Sequence, residues 1–247
     1  LGANPSLVLA PEEDLDLAVE GELFSGWGTA GQRCTSLGNL IVHNEVKEEF
    51  VRRLDAALRS APIGDPRSEV LYGPLLSEKF AENFEQVLDT LGSHHTPLGS
   101  EFTGRITDSA PRKGFVGDPQ SGLYYHPVLV DGMVPDDHIF QQETFGPIVG
   151  VIGYDAMDEA IELGNAPGYG LSAAVYTRDP ATAFRFRERI SAGMVSVNNS
   201  TSGAEAHLPF GGNGRSGNGS RQSGMWVLDQ FTRWQSLNWD FSGKLQK

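Results

Sequence analysis

The chain has 247 residues, of which 39% are hydrophobic, and is therefore long enough to bury a core as one large domain or two small ones. Its formal net charge of −13, with basic residues scattered along the chain, disfavours nucleic acid and anionic membranes as partners. Because no apolar run is long enough for a membrane span and the first residues lack a signal-peptide pattern, we expect a cytoplasmic protein.

Helix signals and short apolar runs alternate along the chain. A helical stretch from about Asp14 is followed by a helix capped by Asn44, with apolar residues at positions 46, 50, 54 and 58 on one face. Ser77 opens a further helix that ends before Gly92, and Asp179 caps a helix with proline at its first position. Strands are predicted at residues 40–42, 124–130, 148–152, 173–177 and 194–197.

The order of these elements predicts the fold class. Strand and helix alternate over residues 39–60 and 147–198, which indicates an α/β fold with a mostly parallel sheet flanked by helices. From residue 198 to residue 224 the chain is almost entirely polar or glycine, and such long ordered loops are usually functional. A short helix near residues 225–231 and an extended apolar run at residues 234–241 close the chain.

Cys34 is the single cysteine, so an internal disulfide and a cysteine-cluster metal site are excluded. It follows a glycine-rich stretch, residues 26–31, where the backbone can approach a ligand or another segment closely. A lone cysteine is more often a small buried apolar residue than a nucleophile. Composition alone therefore leaves both roles open.

Two further segments carry candidate chemistry. Glu143 and Phe145 lie just before a predicted strand, although a solvated turn would have the same spacing. The loop at residues 209–217 contains a GxGxxG pattern, but it follows a polar loop and opens no helix, so we predict no dinucleotide phosphate site there. The six histidines are dispersed and form no HExxH motif, so we predict no metal site.

Three of these segments together resemble the aldehyde dehydrogenase family: residues 31–34 (GQRC), residues 143–147 (ETFGP) and residues 209–212 (PFGG). Their order and spacing agree with that family, and the resemblance extends from residue 1 to residue 247. It implies a catalytic thiol domain with residual cofactor-facing segments at residues 1–232. It also implies a C-terminal oligomerisation strand and tail at residues 233–247, and hence a homo-oligomer.

The resemblance implies that Cys34 attacks an aldehyde, that the thiohemiacetal transfers hydride to NAD or NADP, and that water hydrolyses the thioester. Cofactor contacts are implied for three residues: Glu143 with the nicotinamide ribose, and Phe145 and Leu171 with the nicotinamide end. Substrate contacts are implied for Arg33 and Thr35, beside the thiol, and for Phe210, in the wall of the substrate tunnel.

The resemblance also implies that the general-base glutamate directly precedes Leu1 and that an oxyanion-binding asparagine lies further upstream. We therefore expect the chain to be the C-terminal catalytic portion of the enzyme, inactive without an N-terminal cofactor-binding half. Residues 28–35, 71–75 and 201–205 resemble the aminoadipate-semialdehyde branch, in which the last segment, here with Ser202, Gly203 and Ala204, anchors a substrate carboxylate.

Two other interpretations remain open from the sequence. A cofactor-independent cysteine hydrolase or acyltransferase would need a histidine or carboxylate base beside Cys34. The chain could also be a folded but inactive module, which would need neither a cofactor nor a base beside Cys34.

Overall fold

A seven-stranded sheet forms the centre of the structure, a computed structural model in which residues 2–245 are described. The nine strands of the chain are β1 (Ser6–Leu9), β2 (Asn39–His43), β3 (Ile63–Gly64), β4 (Thr96–Leu98), β5 (Phe115–Val116), β6 (Val128–Asp131), β7 (Ile148–Tyr154), β8 (Ser172–Tyr176) and β9 (Met194–Val197). The large sheet has the order β4-β6-β7-β2-β1-β8-β9, with only β4 antiparallel to its neighbour, and β3 pairs with β5 separately. The predicted α/β fold with a mostly parallel sheet is thus confirmed.

Helices cover the sheet. They are α1 (Leu15–Glu22), α2 (Asn44–Ser60), α3 (Glu78–Leu88), α4 (His138–Gln141), α5 (Met157–Asn165), α6 (Pro180–Arg189) and α7 (Val227–Phe231). In α2, Phe50, Leu54 and Leu58 recur at helical spacing and are fully buried, so hydrophobic burial on one face fixes this helix against the sheet. Among the described residues, no helix combines the length and apolarity needed to cross a membrane.

Several predicted boundaries differ from the structure. Asn44 is the first residue of α2 and not its cap, because the ring of His43 accepts the Glu45 N–H, while the Asn44 amide donates to Asp155. The helix opened by Ser77 ends at Leu88, before the predicted stop at Gly92. Asp179 does cap α6 as predicted, accepting two backbone N–H groups.

Two strand predictions also need correction. The strand predicted at residues 124–130 begins only at Val128, because Tyr125 pairs in an isolated bridge with Arg105 instead of joining the sheet. The interior strand β1 was not predicted: its four residues are all buried, but a run this short after Asn-Pro has no measurable periodicity.

The apolar run predicted at residues 234–241 forms no strand within the described part of the chain. Trp234, Leu237 and Phe241 are each more than 80% exposed. A strand requires a hydrogen-bonding partner along its edge, so the oligomerisation strand stays a prediction.

Strand order brings separate segments of the chain to one edge of the sheet. Strands β7, β2, β1 and β8 are parallel neighbours, with Ser6 level with both Asn39 and Ala173, and Asn39 level with Gly150. The segments that precede these four strands therefore meet at the same edge. They include residues 2–5, 31–38, 141–147 and 168–171, which contain most of the predicted site.

Candidate active site

Cys34 is an exposed free thiol on a turn between the end of the α1 region and the start of β2. Helix α1 continues as a π-helical turn, Leu23–Trp27, and then as a short 3₁₀ turn, Gly28–Gly31. Within that turn Thr29 and Ala30 both have φ of 56°, a left-handed conformation that costs a non-glycine residue about 1–3 kcal/mol. The backbone before the thiol is strained, so the surrounding contacts must hold it.

The second predicted motif supplies part of this support. The fully buried Trp27 donates its indole N–H to the carbonyl oxygen of Pro147 at 3.1 Å. Gly31 has φ of 68°, and a β-carbon added there would lie 2.1 Å from the carbonyl oxygen of Gly146. Only glycine permits this approach, and it presses the cysteine motif against the ETFGP motif.

The loop after β9 supports the turn from another side. Thr201 Oγ1 and Ser202 Oγ donate to the Thr35 carbonyl oxygen at 2.8 and 3.1 Å. The backbone N–H of Thr201 donates to Ser25 Oγ, and Ser172 Oγ donates to the Thr201 carbonyl. The predicted substrate residues Thr35 and Ser202 are thus in contact, and exposed Gly203 and Ala204 continue from them.

Arg33 lies beside the thiol with its guanidinium carbon 4.8 Å from the centroid of the Phe24 ring. This is within the range of a cation–π contact, which orients the guanidinium without neutralising its charge. Among the described residues, no carboxylate forms an ion pair with Arg33. Its positive charge is available to a negatively charged ligand.

Glu143 is half-buried at the same edge of the sheet. Burial raises the pKa of its carboxyl above the usual value, and a hydrogen bond from the Ala3 backbone N–H opposes that shift. A β-carbon on Gly2 would lie 2.7 Å from Glu143 Oε2 and 3.4 Å from the ring of Tyr169. The residues just before β1, β7 and β8 therefore converge at Glu143.

The electrostatics around Cys34 favour the protonated thiol. Partial burial raises the pKa of Cys34, the backbone N–H groups of Cys34 and Thr35 lower it, and the nearby Glu143 carboxylate raises it again. Because the thiolate is the reactive form of cysteine, this thiol needs a proton acceptor to act as a nucleophile at neutral pH.

Phe145, another predicted cofactor contact, is held in a strained conformation with φ of 56°. Its ring lies 5.7 Å from that of Phe80, and the Asn83 amide donates to the adjacent Thr144 carbonyl. Arg33, Glu143 and Phe145 line one small cleft together with Ala3 and Gly31. The structure therefore brings Arg33 of the cysteine motif together with Glu143 and Phe145 in one cleft.

The remaining two predicted residues, Leu171 and Phe210, do not line this cleft. Leu171 is buried at the start of β8, two residues after Tyr169. Phe210 forms an isolated antiparallel bridge with Gln222, and no described contact brings it to Cys34. Sequence reasoning missed Ser25, Trp27 and Thr201, whose hydrogen bonds join distant segments and leave no local pattern.

The expectation that the histidines are dispersed is wrong for one pair. The Nε2 atoms of His94 and His95 lie 3.0 and 2.9 Å from the two carboxylate oxygens of Asp137. The Gly92 N–H donates to His95 Nδ1, so the neutral His95 ring has its proton on Nε2. His95 Nε2 therefore donates to Asp137 and has no lone pair for a cation. We interpret the group as a hydrogen-bonded cluster, and the absence of a metal stays a prediction.

Comparisons with known proteins identify the family of the chain. Residues 1–237 match the sequence family described as "Aldehyde dehydrogenase family". The chain is 35% identical to aminoacetaldehyde dehydrogenase of Pseudomonas aeruginosa, over 96% of this chain and 45% of that protein. It is 32% identical to alpha-aminoadipic semialdehyde dehydrogenase of Rattus norvegicus, over 99% of this chain and 43% of that protein.

Solved structures share the fold. A point mutant of betaine aldehyde dehydrogenase from Staphylococcus aureus, solved in complex with NAD+, matches with a TM-score of 0.82 and 29% sequence identity. That match covers 94% of this chain and 45% of the other. The chain thus spans about half the length of the relatives it matches. With the family match extending over residues 1–237, the chain belongs to the aldehyde dehydrogenase family.

Proposed function

We propose that this chain is the catalytic-thiol portion of an NAD(P)-dependent aldehyde dehydrogenase and that Cys34 is its nucleophile. One observation carries the proposal: the single cysteine is exposed on a strained turn that is braced by both neighbouring motifs. Strained backbone persists where surrounding structure over-determines it, and such positions cluster at active sites. Residues 1–232 form the catalytic unit in this proposal, and residues 233–247 form an assembly segment for a homo-oligomer.

The chemistry begins at Cys34. Its thiolate forms a bond to the aldehyde carbon, and the carbonyl oxygen becomes an alkoxide that the Cys34 backbone N–H stabilises. When the alkoxide collapses, the carbon loses hydride and a thioester remains on Cys34. Water then cleaves the carbon–sulfur bond, which releases the carboxylic acid and returns the thiol.

A bound NAD or NADP supplies the hydride acceptor for this reaction. The residues present fit such a group, because the half-buried Glu143 offers a carboxylate of the kind that accepts ribose hydroxyl hydrogen bonds. Phe145 and Leu171 provide apolar surface for the nicotinamide end. Most of the dinucleotide-binding surface, the general base and the oxyanion asparagine are expected from an N-terminal half, which is therefore the chain's necessary partner.

The substrate we propose is an aldehyde that also has a carboxylate, such as a semialdehyde. Arg33 has a guanidinium without an ionic partner among the described residues, and Ser202 supports the thiol turn through its hydrogen bond to the Thr35 carbonyl oxygen. A guanidinium binds a carboxylate through paired N–H donors. The similarity to alpha-aminoadipic semialdehyde dehydrogenase supports the same substrate class.

A cofactor-independent hydrolase is less well supported. It would need a base beside Cys34, but His43, His94, His95 and His126 each hydrogen-bond to other partners. No histidine is among the groups that shift the pKa of Cys34. None of these four histidines is therefore free to act as the base.

The test is the formation of NAD(P)H at 340 nm by the complete protein and by residues 1–247 alone, with semialdehydes and uncharged aldehydes. We expect turnover only from the complete protein, because a general base contributes roughly 10²–10⁴ in rate and an oxyanion donor roughly 10²–10³. Cys34→Ser should abolish turnover, whereas Lys79→Gln, an exposed change on α3, should leave it unaltered. Full activity of Cys34→Ser would refute the proposal.

A second variant tests the substrate class. Arg33→Gln should raise KM for semialdehydes by roughly tenfold, which corresponds to about 1.4 kcal/mol. It should leave KM for uncharged aldehydes nearly unchanged. An equal effect on both substrates would count against carboxylate recognition by Arg33.

A further inference from the structure

A basic cleft lies at the C-terminal end of α2, outside the candidate active site. Its lining residues are Arg59, Ser100, Glu101, Pro111, Arg112 and Lys113. The cleft has a cavity volume of about 150 Å³, which is smaller than the roughly 300–1,000 Å³ of drug-sized ligand pockets and suits a small ion or group.

Arg112 is the unusual member of this group, because it is 92% buried and yet charged. Its Nη2 donates to the carbonyl oxygens of Leu58 and Ala61 at the end of α2. Its Nε is also buried but has no hydrogen-bond partner in the described part of the chain. Removing a charge from water without a counter-ion is costly, and burial accordingly lowers the pKa of Arg112.

The end of α2 compensates only part of that charge. A helix C-terminus is equivalent to about half a negative charge, and the contacts there engage Nη2 alone. No carboxylate among residues 2–245 forms an ion pair with Arg112. The guanidinium therefore retains uncompensated positive charge, and the N–H donors of its Nε and Nη1 are engaged by no described residue.

The neighbouring side chains add to this charge. Arg59 is paired with Asp55, whose other oxygen accepts the Gly99 N–H. Lys113 is exposed and has no ionic partner within the described residues, and Glu101 is the acidic residue of the cleft. With Arg59 paired, the cleft has two cations, Arg112 and Lys113, without an ionic partner among the described residues, against the single carboxylate of Glu101.

We propose that this cleft binds a phosphate group, with Arg112 and Lys113 as its principal ligands. A phosphate dianion accepts hydrogen bonds from a guanidinium and an ammonium at once and supplies the missing counter-charge. Free phosphate and the phosphate of a phosphomonoester share this chemistry, and the experiment distinguishes them. The alternative, that Arg112 serves only to cap α2, requires no ligand and predicts no effect of Lys113 or Glu101.

The experiment is titration calorimetry of the complete protein with inorganic phosphate and with glycerol 3-phosphate, at ionic strength held constant with NaCl. Lys113→Gln should weaken binding of both compounds roughly threefold to fivefold, and Glu101→Gln should strengthen it by a similar factor, as expected for single exposed charges. Lys79→Gln is the matched control, because it removes one exposed positive charge away from the cleft. It should bind both compounds like the unaltered protein.

Arg112→Gln would also remove the hydrogen bonds to the end of α2, so a loss of binding could reflect a change in structure. The exposed variants Lys113→Gln and Glu101→Gln therefore decide whether the site exists. Opposite changes in affinity for Lys113→Gln and Glu101→Gln support the site. Tighter binding of glycerol 3-phosphate than of phosphate would assign it to a phosphomonoester, and equal binding to the free ion. No saturable heat with either compound, or unchanged affinity in both variants, overturns the proposal.

Discussion

The turn that carries Cys34 and the segment at residues 232–245 each contain a feature that costs free energy. In the turn it is strained backbone, and in the segment it is exposed apolar surface. The turn contains left-handed backbone at Thr29 and Ala30, but Trp27 and Gly31 fasten it to residues 146–147, and Thr201 fastens it to the loop after β9. The C-terminal segment has ordinary backbone but exposes large apolar side chains, including Trp234 and Phe241. The strain is balanced inside this chain, whereas exposed apolar surface of this kind is typical of an interaction site, the role proposed for this segment.

The largest effect should come from the closest backbone contact of the turn. Gly31→Ala places a β-carbon 2.1 Å from the Gly146 carbonyl oxygen and forces alanine to a positive φ. We expect a loss of about 3 kcal/mol or more in the free energy of unfolding, measured by urea denaturation. Gly104→Ala is the matched control, because its φ is +84° but nothing lies within 4 Å, and it should cost only about 1–2 kcal/mol. Equal losses would show that the contact with Gly146 is unimportant.

Glu22 should make the stability of the same region depend on pH. Its carboxyl is fully buried at the end of α1 with both oxygens unpartnered in the described structure, and burial raises its pKa well above the usual value. The unfolded chain releases this proton near pH 4.3, roughly the ordinary value, so the free energy of unfolding should fall as pH rises from there through the raised folded pKa. Glu22→Gln should reduce this decline, as measured by urea midpoints at pH 5 and pH 8.5. If the free energy of unfolding of Glu22→Gln declined with pH as steeply as that of the unaltered chain, Glu22 would not be the cause of the decline.

A smaller effect is expected on the thiol itself. Because the Glu143 carboxylate raises the pKa of Cys34, Glu143→Gln should lower that pKa and increase the thiolate fraction. We expect iodoacetamide to alkylate Cys34 about two to three times faster at pH 8 in the variant. Glu159→Gln, on α5, removes a carboxylate that does not act on the thiol and serves as control. Slower alkylation of the Glu143→Gln variant would show that the Glu143 carboxylate does not raise the pKa of Cys34.

The smallest effect on stability should come from the C-terminal segment. Residues 232–245 are exposed along their whole length, so deleting residues 232–247 should change the free energy of unfolding of the chain by less than about 0.5 kcal/mol. In the complete protein the same deletion should reduce the assembly size seen by sedimentation velocity. If the assembly size is unaffected, the segment is not the oligomerisation element.

Much of the fold could be predicted because it depends on local patterns. The apolar stripe of α2, the Asp179 cap and the β-branched runs are visible within a few neighbouring residues. Strand β1 escaped prediction because its place inside the sheet depends on pairing with β2 and β8, which lie far away in the chain.

In the candidate site, too, some residues are identified by local sequence and others only by contacts between distant parts of the chain. The motifs around Cys34, Glu143 and Ser202 could be identified from the sequence through family resemblance. The hydrogen bonds of Ser25 and Thr201 join residues 176 positions apart, and no periodicity encodes such a pair. The burial of Arg112 was equally hidden, since arginine is usually exposed and its partners are backbone carbonyls.

The edge of the sheet at which β7, β2, β1 and β8 begin also bears on how the chain reaches its folded state. Ser6 pairs level with Ala173, and such long-range parallel contacts form slowly because a long loop must close first. The support of the thiol turn by Ser172 and Thr201 cannot exist before β8 and β9 have joined the sheet. During folding, Cys34 therefore passes through a period in which it lacks its final surroundings, and the rate at which its reactivity reaches the native value measures completion of the sheet.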